Sequence, residues 1–147
     1  MKEYASNPRA SFDFEIIETL EAGVVLTGNE VKAIKTGKAT LRGTYVRLFH
    51  ERPFLVGATI TPYQPANTPP TYNAQADRAL LMSKKQIAAL SGIGKSEGLT
   101  LIPLKFYDKH GRIKLLVGIA RGKRKYDKRE TIKKKDLTRA QQRGIEE

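Results

Sequence analysis

The chain has 147 residues, 39% of them hydrophobic, and carries 27 Lys or Arg against 15 Asp or Glu, a formal net charge of +12. This length and apolar content suit one domain with an appendage rather than two well-packed cores. With no cysteine, the chain has no disulfides, thiolate metal sites or cysteine nucleophiles. No apolar run resembles a signal peptide or a membrane span, so we expect a cytoplasmic protein without membrane attachment.

The positive charge is concentrated near the C-terminal end. Residues 121–147 hold 11 Lys or Arg and 5 Asp or Glu, a net charge of +6, so half of the excess lies in less than a fifth of the chain. A charge of this size attracts polyanions, of which nucleic acid is the commonest partner of a basic cytoplasmic domain. On charge alone, a solubilising tail is the alternative interpretation.

The first half of the chain shows strand signals interrupted by one helix signal. Residues 12–20 alternate with period two, which predicts a strand, and Glu21-Ala22-Gly23 predicts the turn of a hairpin that resumes at residues 24–26. Asn29 is the expected N-cap of a short helix, and Gly37 lies where a left-handed C-terminal residue belongs. Strands are then predicted at residues 44–49 and 54–60, joined by a turn at 50–53.

The second half opens with residues 61–77, which contain four prolines and almost no apolar periodicity, and which predict a long surface loop. Order resumes at Leu80-Leu81-Met82. Ser83, with Gln86 three residues on, forms a capping-box pattern that predicts the start of a helix. A long strand at residues 99–107, a turn at 108–111 and a returning strand at 113–120 complete the pattern.

The strands do not alternate with crossover helices, which favours an all-β fold with short helices. We expect an OB-type closed antiparallel β-barrel over residues 1–120, followed by a basic C-terminal tail at 121–147. The tail is too polar to bury a core and is predicted to be disordered when free. Asp127 as N-cap, and Glu130 four residues before Lys134, favour a helix once the tail is bound to an anion.

Catalytic patterns are absent from the sequence, and so we expect neither an enzyme nor a cofactor. The two histidines, His50 and His110, fall in predicted turns far apart in sequence, so no metal site is expected. Phosphate-cradling loops and Ser/His/Asp arrangements are also missing. Tyr63, Tyr72 and Tyr107 are candidates for stacking on RNA bases, with ordinary packing at barrel edges as the alternative.

Several motifs together carry a family resemblance. They are Leu20-Glu21-Ala22-Gly23-Val24-Val25-Leu26 followed by Gly28, Glu30, Val31 and Lys32; Ala58, Ile60, Pro62 and Tyr63; Leu80-Leu81-Met82; Leu101, Pro103, Leu104, Lys105 and Tyr107; and Gly118, Ala120, Gly122 and Lys123 with Tyr126-Asp127-Lys128-Arg129-Glu130. From Asn7 to about Arg143, this arrangement closely resembles the SsrA-binding protein (small protein B) family, the partner of tmRNA in trans-translation.

The resemblance implies a division of labour between barrel and tail. The barrel would grip the tRNA-like domain of tmRNA as a monomer and deliver it, with elongation factor Tu carrying alanyl-tmRNA, to stalled 70S ribosomes. The tail would occupy the vacant decoding centre and mRNA channel of the small-subunit rRNA. The implied tmRNA-binding residues are Asn7, Glu21, Leu81 and Lys114, together with Arg78. The implied tail residues are Gly122, Lys123, Tyr126, Asp127, Lys128 and Arg129.

The chain departs from the family pattern at three places. Phe12 stands where the family usually has a His or a basic residue. Residues 71–79 retain only Arg78 from a run that is more basic in the family, so fewer phosphate contacts are expected from this loop. The tail also ends soon after Gly144, which is expected to shorten its channel contacts.

Two rival functions follow from the same residues. A general single-stranded RNA-binding OB protein, such as an RNA chaperone, requires an exposed aromatic cluster on consecutive strands, and we expect this chain to lack one. An RNA-processing enzyme requires a metal or acid–base cluster, which is also missing. The tmRNA-binding adaptor is therefore the leading hypothesis.

Overall fold

The computed structural model describes residues 2–93 and 98–122. Three α-helices in that part of the chain are Ala10–Asp13 (α1), Gly28–Lys35 (α2) and Lys84–Ile93 (α3), with a 3-10 turn at Pro65–Asn67. The strands are Glu3–Ser6 (β1), Phe14–Val24 (β2), Ala39–Thr40 (β3), Tyr45–Phe49 (β4), Arg52–Val56 (β5), Thr59–Ile60 (β6), Arg78–Leu81 (β7), Leu99–Lys109 (β8) and Arg112–Gly122 (β9). The fold is mostly β-sheet with a few short helices.

Seven strands form one sheet in the order β1-β8-β9-β2-β7-β5-β4, in which every pairing is antiparallel. The other two, β3 and β6, pair with each other. The two ends of the large sheet are β1 and β4. No backbone ladder joins these ends within the described residues, although β4 packs near β8. The closed barrel expected from the sequence is therefore not confirmed, because both end strands are short and leave the sheet open.

Two tight hairpin turns join β4 to β5 and β8 to β9. At the β4–β5 turn, His50 and Glu51 have φ values of 49° and 63°, and at the β8–β9 turn, His110 and Gly111 have 52° and 80°. Two successive residues with positive φ form the turn geometry whose twist matches that of the flanking strands. Both histidines lie in exposed turns, as predicted.

The predicted hairpin at residues 12–26 is wrong. Residues 10–13 form α1, and β2 then runs without interruption from Phe14 to Val24. The alternation breaks at Ile17, where the pairing with β9 shifts register between Ile16 and Glu18, and the Ile17 side chain is left exposed. A bulge of this kind adds one residue to a strand without ending it.

The N-termini of α2 and α3 are both held by capping boxes. The N-cap of α2 is Thr27 rather than the predicted Asn29. The Glu30 backbone N–H donates to Thr27 Oγ1 at 3.2 Å, and the Thr27 N–H donates to Glu30 Oε1 at 3.0 Å. The predicted Ser83–Gln86 box is confirmed by the same two reciprocal bonds, at 3.0 and 3.1 Å. These bonds satisfy backbone donors that the first helical turn cannot pair internally.

The main core lies between the inward faces of the sheet and α2. Its fully buried side chains include Ile34 on α2, Leu55 on β5, and Phe106, Leu115 and Val117 on the β8–β9 hairpin. Full burial of such a side chain stabilises the fold by roughly 1.5–3 kcal/mol. Because side chains alternate along a strand, burial of these residues turns their immediate neighbours to the outward face of the sheet.

Candidate RNA-binding face

Four residues from four strands form one line across the outward face of the sheet. Gly23 on β2 pairs with Leu81 on β7 and with Lys114 on β9, and Lys114 pairs in turn with Tyr107 on β8. Directly paired residues of antiparallel strands share a face. We call this line, Leu81–Gly23–Lys114–Tyr107, the central row. It brings together residues that the sequence separates by up to 91 positions.

Gly23 has a steric role in the central row and is not part of a turn. A Cβ atom at this position would lie 3.2 Å from the Leu81 Cβ, which is closer than ordinary van der Waals contact. The missing side chain therefore lets β7 approach β2 and lets Leu81 lie over the strand. Leu81 is 62% exposed, a large apolar side chain held in solvent beside Lys114.

Glu21 lies next to the central row, within the continuous strand β2, and not at the hairpin tip that the sequence suggested. Its carboxylate accepts a hydrogen bond from the Tyr107 hydroxyl, and Lys109 Nζ lies 3.1 Å from both of its oxygens. The bond from Tyr107, followed by Lys109 and the charge of Lys114, holds the pKa of Glu21 below its usual value against the opposing effect of burial. Glu21 is thus an ionised acceptor with a partly exposed side chain.

Tyr107 is a packing and positioning residue. It is 4% exposed, and burial, followed by its bond to the Glu21 carboxylate, raises the pKa of its hydroxyl. Its ring is covered and its hydroxyl donates to Glu21, so the structure does not offer this ring for stacking on a base. Tyr72 is also engaged through its hydroxyl, which donates to the Ile60 carbonyl at 2.7 Å. Tyr63 is half-buried beside Lys32 and Lys38.

Asn7 is buried, with 8% of its surface exposed, at the junction of β1 and α1. Its Nδ2 donates to the Pro103 carbonyl at 3.0 Å, and its Oδ1 accepts from the Arg9 backbone N–H at 3.2 Å. Its own backbone N–H donates to the Leu104 carbonyl at 2.8 Å. These bonds fix the N-terminal segment on β8, outside the central row.

Arg78 lies on the inward face of β7 and is 4% exposed. Its Nε and Nη2 donate to Glu30 Oε2 at 3.1 and 2.8 Å, and its Nη1 donates to the carbonyls of Ala58 and Ala76. Burial alone would raise the pKa of Glu30, but the bonds from Thr27 and Arg78 lower it below its usual value. The guanidinium therefore ties β7 to α2, to Ala58 before the 61–77 loop and to Ala76 near the end of that loop.

The expectation that the chain lacks an exposed aromatic cluster on consecutive strands is wrong, because such a cluster lies on the outward surface of β4 and β5. Tyr45 and Phe49 are 48% and 50% exposed, and Phe54 is half-buried on the paired strand. We call these three rings, with Arg47 between them, the aromatic platform. The period-two spacing of Tyr45, Arg47 and Phe49 was the available signal, but its outward direction depends on the burial of the alternate residue Val46.

The predicted tail residues Lys123, Tyr126, Asp127, Lys128 and Arg129 lie outside the described residues. Gly122 is the last residue described; it is exposed at the end of β9, paired with Phe14.

Residues 2–93 and 98–122 hold neither a candidate metal site nor a membrane-spanning helix. This part of the chain contains no group of three or more His, Cys, Asp or Glu side chains that could hold a metal ion. It also contains no helix long and apolar enough to cross a membrane.

Comparison with known proteins identifies the family. The model of a family described as SmpB protein matches residues 4–147. The SsrA-binding protein of Rubrobacter xylanophilus is 45% identical over 147 residues, covering 100% of this chain and 97% of the relative. That of Latilactobacillus sakei is 41% identical over 141 residues, covering 96% and 90%.

A solved structure agrees with the sequence relatives. It is described as "tmRNA-SmpB: a journey to the center of the bacterial ribosome", and one of its chains superposes with a TM-score of 0.66 at 38% identity, covering 86% of this chain and 92% of that chain. The sequence resemblance to the SsrA-binding protein family is confirmed over nearly the whole length. The chain belongs to the SmpB family.

Proposed function

We propose that this protein is a tmRNA-binding adaptor of trans-translation, which holds the tRNA-like domain of tmRNA and delivers it to stalled ribosomes. The observation that carries the proposal is the central row: Leu81 and Lys114 lie in it, and Glu21 lies beside it, on one outward surface. The relatives are named for binding SsrA, and the solved neighbour is tmRNA–SmpB of the bacterial ribosome.

Each residue of this surface has a role that its environment supports. Lys114 contacts an RNA phosphate, because a lysine within an outward surface that also holds apolar and acidic groups supplies a positioning charge. Glu21, kept ionised by Tyr107 and Lys109, accepts hydrogen bonds from base or ribose groups. Leu81 packs against an exposed nucleotide surface. A carboxylate this close to the RNA repels phosphate groups and so allows few positions of the RNA backbone. This favours recognition by shape over non-specific backbone binding.

Asn7 and Arg78 act as positioning residues rather than direct contacts. Both are buried, and their polar groups are engaged with carbonyls or carboxylates of the protein. Asn7 holds the N-terminal segment against β8, and Arg78 anchors β7, the strand that carries Leu81. Loss of either side chain would therefore disturb the position of the strands that carry the RNA-binding face.

The remaining assignments rest on family membership and on charge. The seven-stranded sheet is the core of an OB-type barrel. The protein has no catalytic activity and acts in the cytoplasm as a monomer. Residues 121–147 supply the ribosomal contacts: Gly122 at the end of β9, with Lys123, Tyr126, Asp127, Lys128 and Arg129, contacts small-subunit rRNA in the vacant decoding centre of the 70S ribosome. Elongation factor Tu joins through alanyl-tmRNA.

Binding to tmRNA and to an unstructured RNA of equal length, measured across a salt series, tests the proposal. We expect a clear preference for tmRNA at physiological salt, because shape recognition survives screening better than non-specific charge attraction. Equal affinities would contradict it. Deletion of residues 122–147 is expected to leave tmRNA binding largely intact and to abolish peptide tagging on stalled ribosomes. Loss of both activities together would show that the division into two parts is wrong.

A general single-stranded RNA-binding protein is the second candidate, and one observation favours it. The aromatic platform supplies the exposed rings on consecutive strands that such a protein requires and that the sequence did not indicate. In the salt-series experiment, this candidate predicts equal binding of both RNAs.

A further inference from the structure

The aromatic platform is unusual for the surface of a small domain. Tyr45 and Phe49 each expose about half of their surface, at 48% and 50%, and they project from the same side of β4. Single exposed apolar residues are ordinary, whereas a contiguous group of large rings marks a binding surface. The platform is independent of the central row, which contains no accessible ring.

The platform has a built geometry rather than a scatter of rings. Arg47 pairs directly with Phe54 across the β4–β5 ladder, and its guanidinium carbon lies 5.3 Å from the centroid of the Phe49 ring. The His50 ring meets Phe49 edge-on with centroids 4.4 Å apart. Together these contacts hold the Phe49 ring upright at the surface.

A shallow cavity of about 210 Å³ opens beside these rings, and it combines three kinds of side chain. It is lined by Arg47, Phe49, Phe54, Val56 and Asp77. Aromatic rings stack on the faces of nucleobases, Arg binds phosphate or stacks, and a carboxylate accepts hydrogen bonds from base amino groups. A purely apolar partner would leave Arg47 and Asp77 without hydrogen bonds from it.

The platform also lies on the same outward side of the sheet as the RNA-binding face. Phe54 pairs with Ala79 on β7, and Leu81, two residues further along that strand, begins the central row. Residues two apart on a strand share a face. An RNA strand that leaves the central row across β7 therefore reaches the platform.

We propose that the aromatic platform is a second RNA site, which stacks an unpaired nucleobase of single-stranded RNA on Phe49 and Tyr45. Arg47 then contacts the adjoining phosphate, and Asp77 accepts a hydrogen bond from an amino group of the base. This goes beyond recognition of the tRNA-like domain, since it needs no folded RNA. RNA is favoured over a second copy of the chain because the formal charge of +12 repels self-association and attracts a polyanion.

The test uses the full chain and a ten-nucleotide unstructured RNA that contains 5-bromouracil. Ultraviolet cross-linking followed by mass spectrometry is expected to place the cross-links on Tyr45, Phe49 or Phe54. Phe49→Leu, which keeps an apolar side chain but removes the ring, is expected to weaken binding roughly 5- to 100-fold, as for the loss of one base–aromatic stack. Phe49→Tyr is expected to retain binding.

A matched variant and a salt series separate the loss of the aromatic ring from the loss of exposed apolar area and from the loss of charge. Ile17→Ala removes an equally exposed apolar side chain on β2 and is expected to change nothing. Phe49→Leu removes no ionic contact, so its effect is expected to be the same at every salt concentration, whereas Arg47→Gln is expected to lower the salt slope by about 1.

Three results would overturn the proposal. They are cross-links confined to residues 123–147, unchanged oligonucleotide affinity of a folded Phe49→Leu variant, and a loss of self-association rather than of RNA binding in that variant. The oligonucleotide measurement stands whether or not the chain prefers tmRNA.

Discussion

Replacement of Arg78 by methionine separates a buried anchor from a direct RNA contact. Arg78→Met keeps a long side chain inside the sheet but removes the guanidinium. Glu30 is then left as a buried carboxylate that keeps the bonds from the Thr27 backbone N–H and, at 3.4 Å, from the Tyr72 hydroxyl, because the two bonds it accepted from Arg78 at 3.1 and 2.8 Å are gone. The carbonyls of Ala58 and Ala76 also lose their donor.

The expected loss of stability is large. Breaking a buried ion pair by removing one partner costs ~3–5 kcal/mol, because an uncompensated charge remains inside the protein. Against a total stability of roughly 5–15 kcal/mol for a domain, this is a substantial fraction. The double variant Arg78→Met/Glu30→Gln removes both charges and keeps an amide oxygen that still accepts the capping bond from Thr27, so we expect much of the lost stability to return.

Urea unfolding followed by circular dichroism measures the free energy of unfolding of the wild type, of Arg78→Met and of the double variant. Binding to tmRNA is then measured across a salt series, under conditions in which each protein is fully folded. A buried anchor predicts an unchanged salt slope, since the side chain is only 4% exposed. A slope lowered by about 1, with stability unchanged, would refute this reasoning and make Arg78 a phosphate contact.

Three further predictions concern the central row. Gly23→Val places a branched side chain against Leu81, whose Cβ would lie only 3.2 Å from even a single Cβ added at position 23. We therefore expect ~1–3 kcal/mol of destabilisation in thermal unfolding and weaker tmRNA binding. Lys114→Met is expected to leave stability within about 0.5 kcal/mol and to lower the salt slope of tmRNA binding by about 1. Tyr107→Phe removes the donor to Glu21, and the pKa of that carboxyl is expected to rise toward 4.5 in an NMR titration.

The sign of the Tyr107→Phe effect on stability follows from linkage. Because the pKa of Glu21 is lowered in the folded state, its contribution is present above its ordinary value of 4.5 and is lost as pH falls through the folded value. The variant is therefore expected to be less stable than the wild type at pH 7, with the difference shrinking in acid. A difference that is constant across this range would assign the effect to packing instead.

The controls for the other two variants come from the same strands. Ile17→Val on β2 is exposed and distant from Leu81, and it is expected to leave folding and RNA binding unchanged. Arg112→Met on β9 removes a similar charge outside the central row. If it lowered the salt slope as much as Lys114→Met, Lys114 would have no special role.

Features that depend on a few adjacent residues were predicted well from the sequence. The turns at His50 and His110, the capping box at Ser83 and the left-handed Gly37, whose φ is 80°, all follow from local backbone chemistry. The same local reasoning failed for β2. Gly23 looked like a turn residue, and only the approach of β7 shows that it makes room for Leu81.

By itself, the sequence determined the β-rich character, the basic composition of residues 121–147 and the family, because composition, alternation and motif register are properties of the chain. Only the tertiary structure decided which residues share a surface. Strand pairing between positions far apart in sequence brings Leu81 beside Lys114 and turns the Tyr45 and Phe49 rings outward. It also buries Arg78 against Glu30, 48 residues away. Such long-range strand pairing decides whether a charged side chain is available to RNA or is paired with another charge of the protein. Local sequence patterns do not encode this pairing.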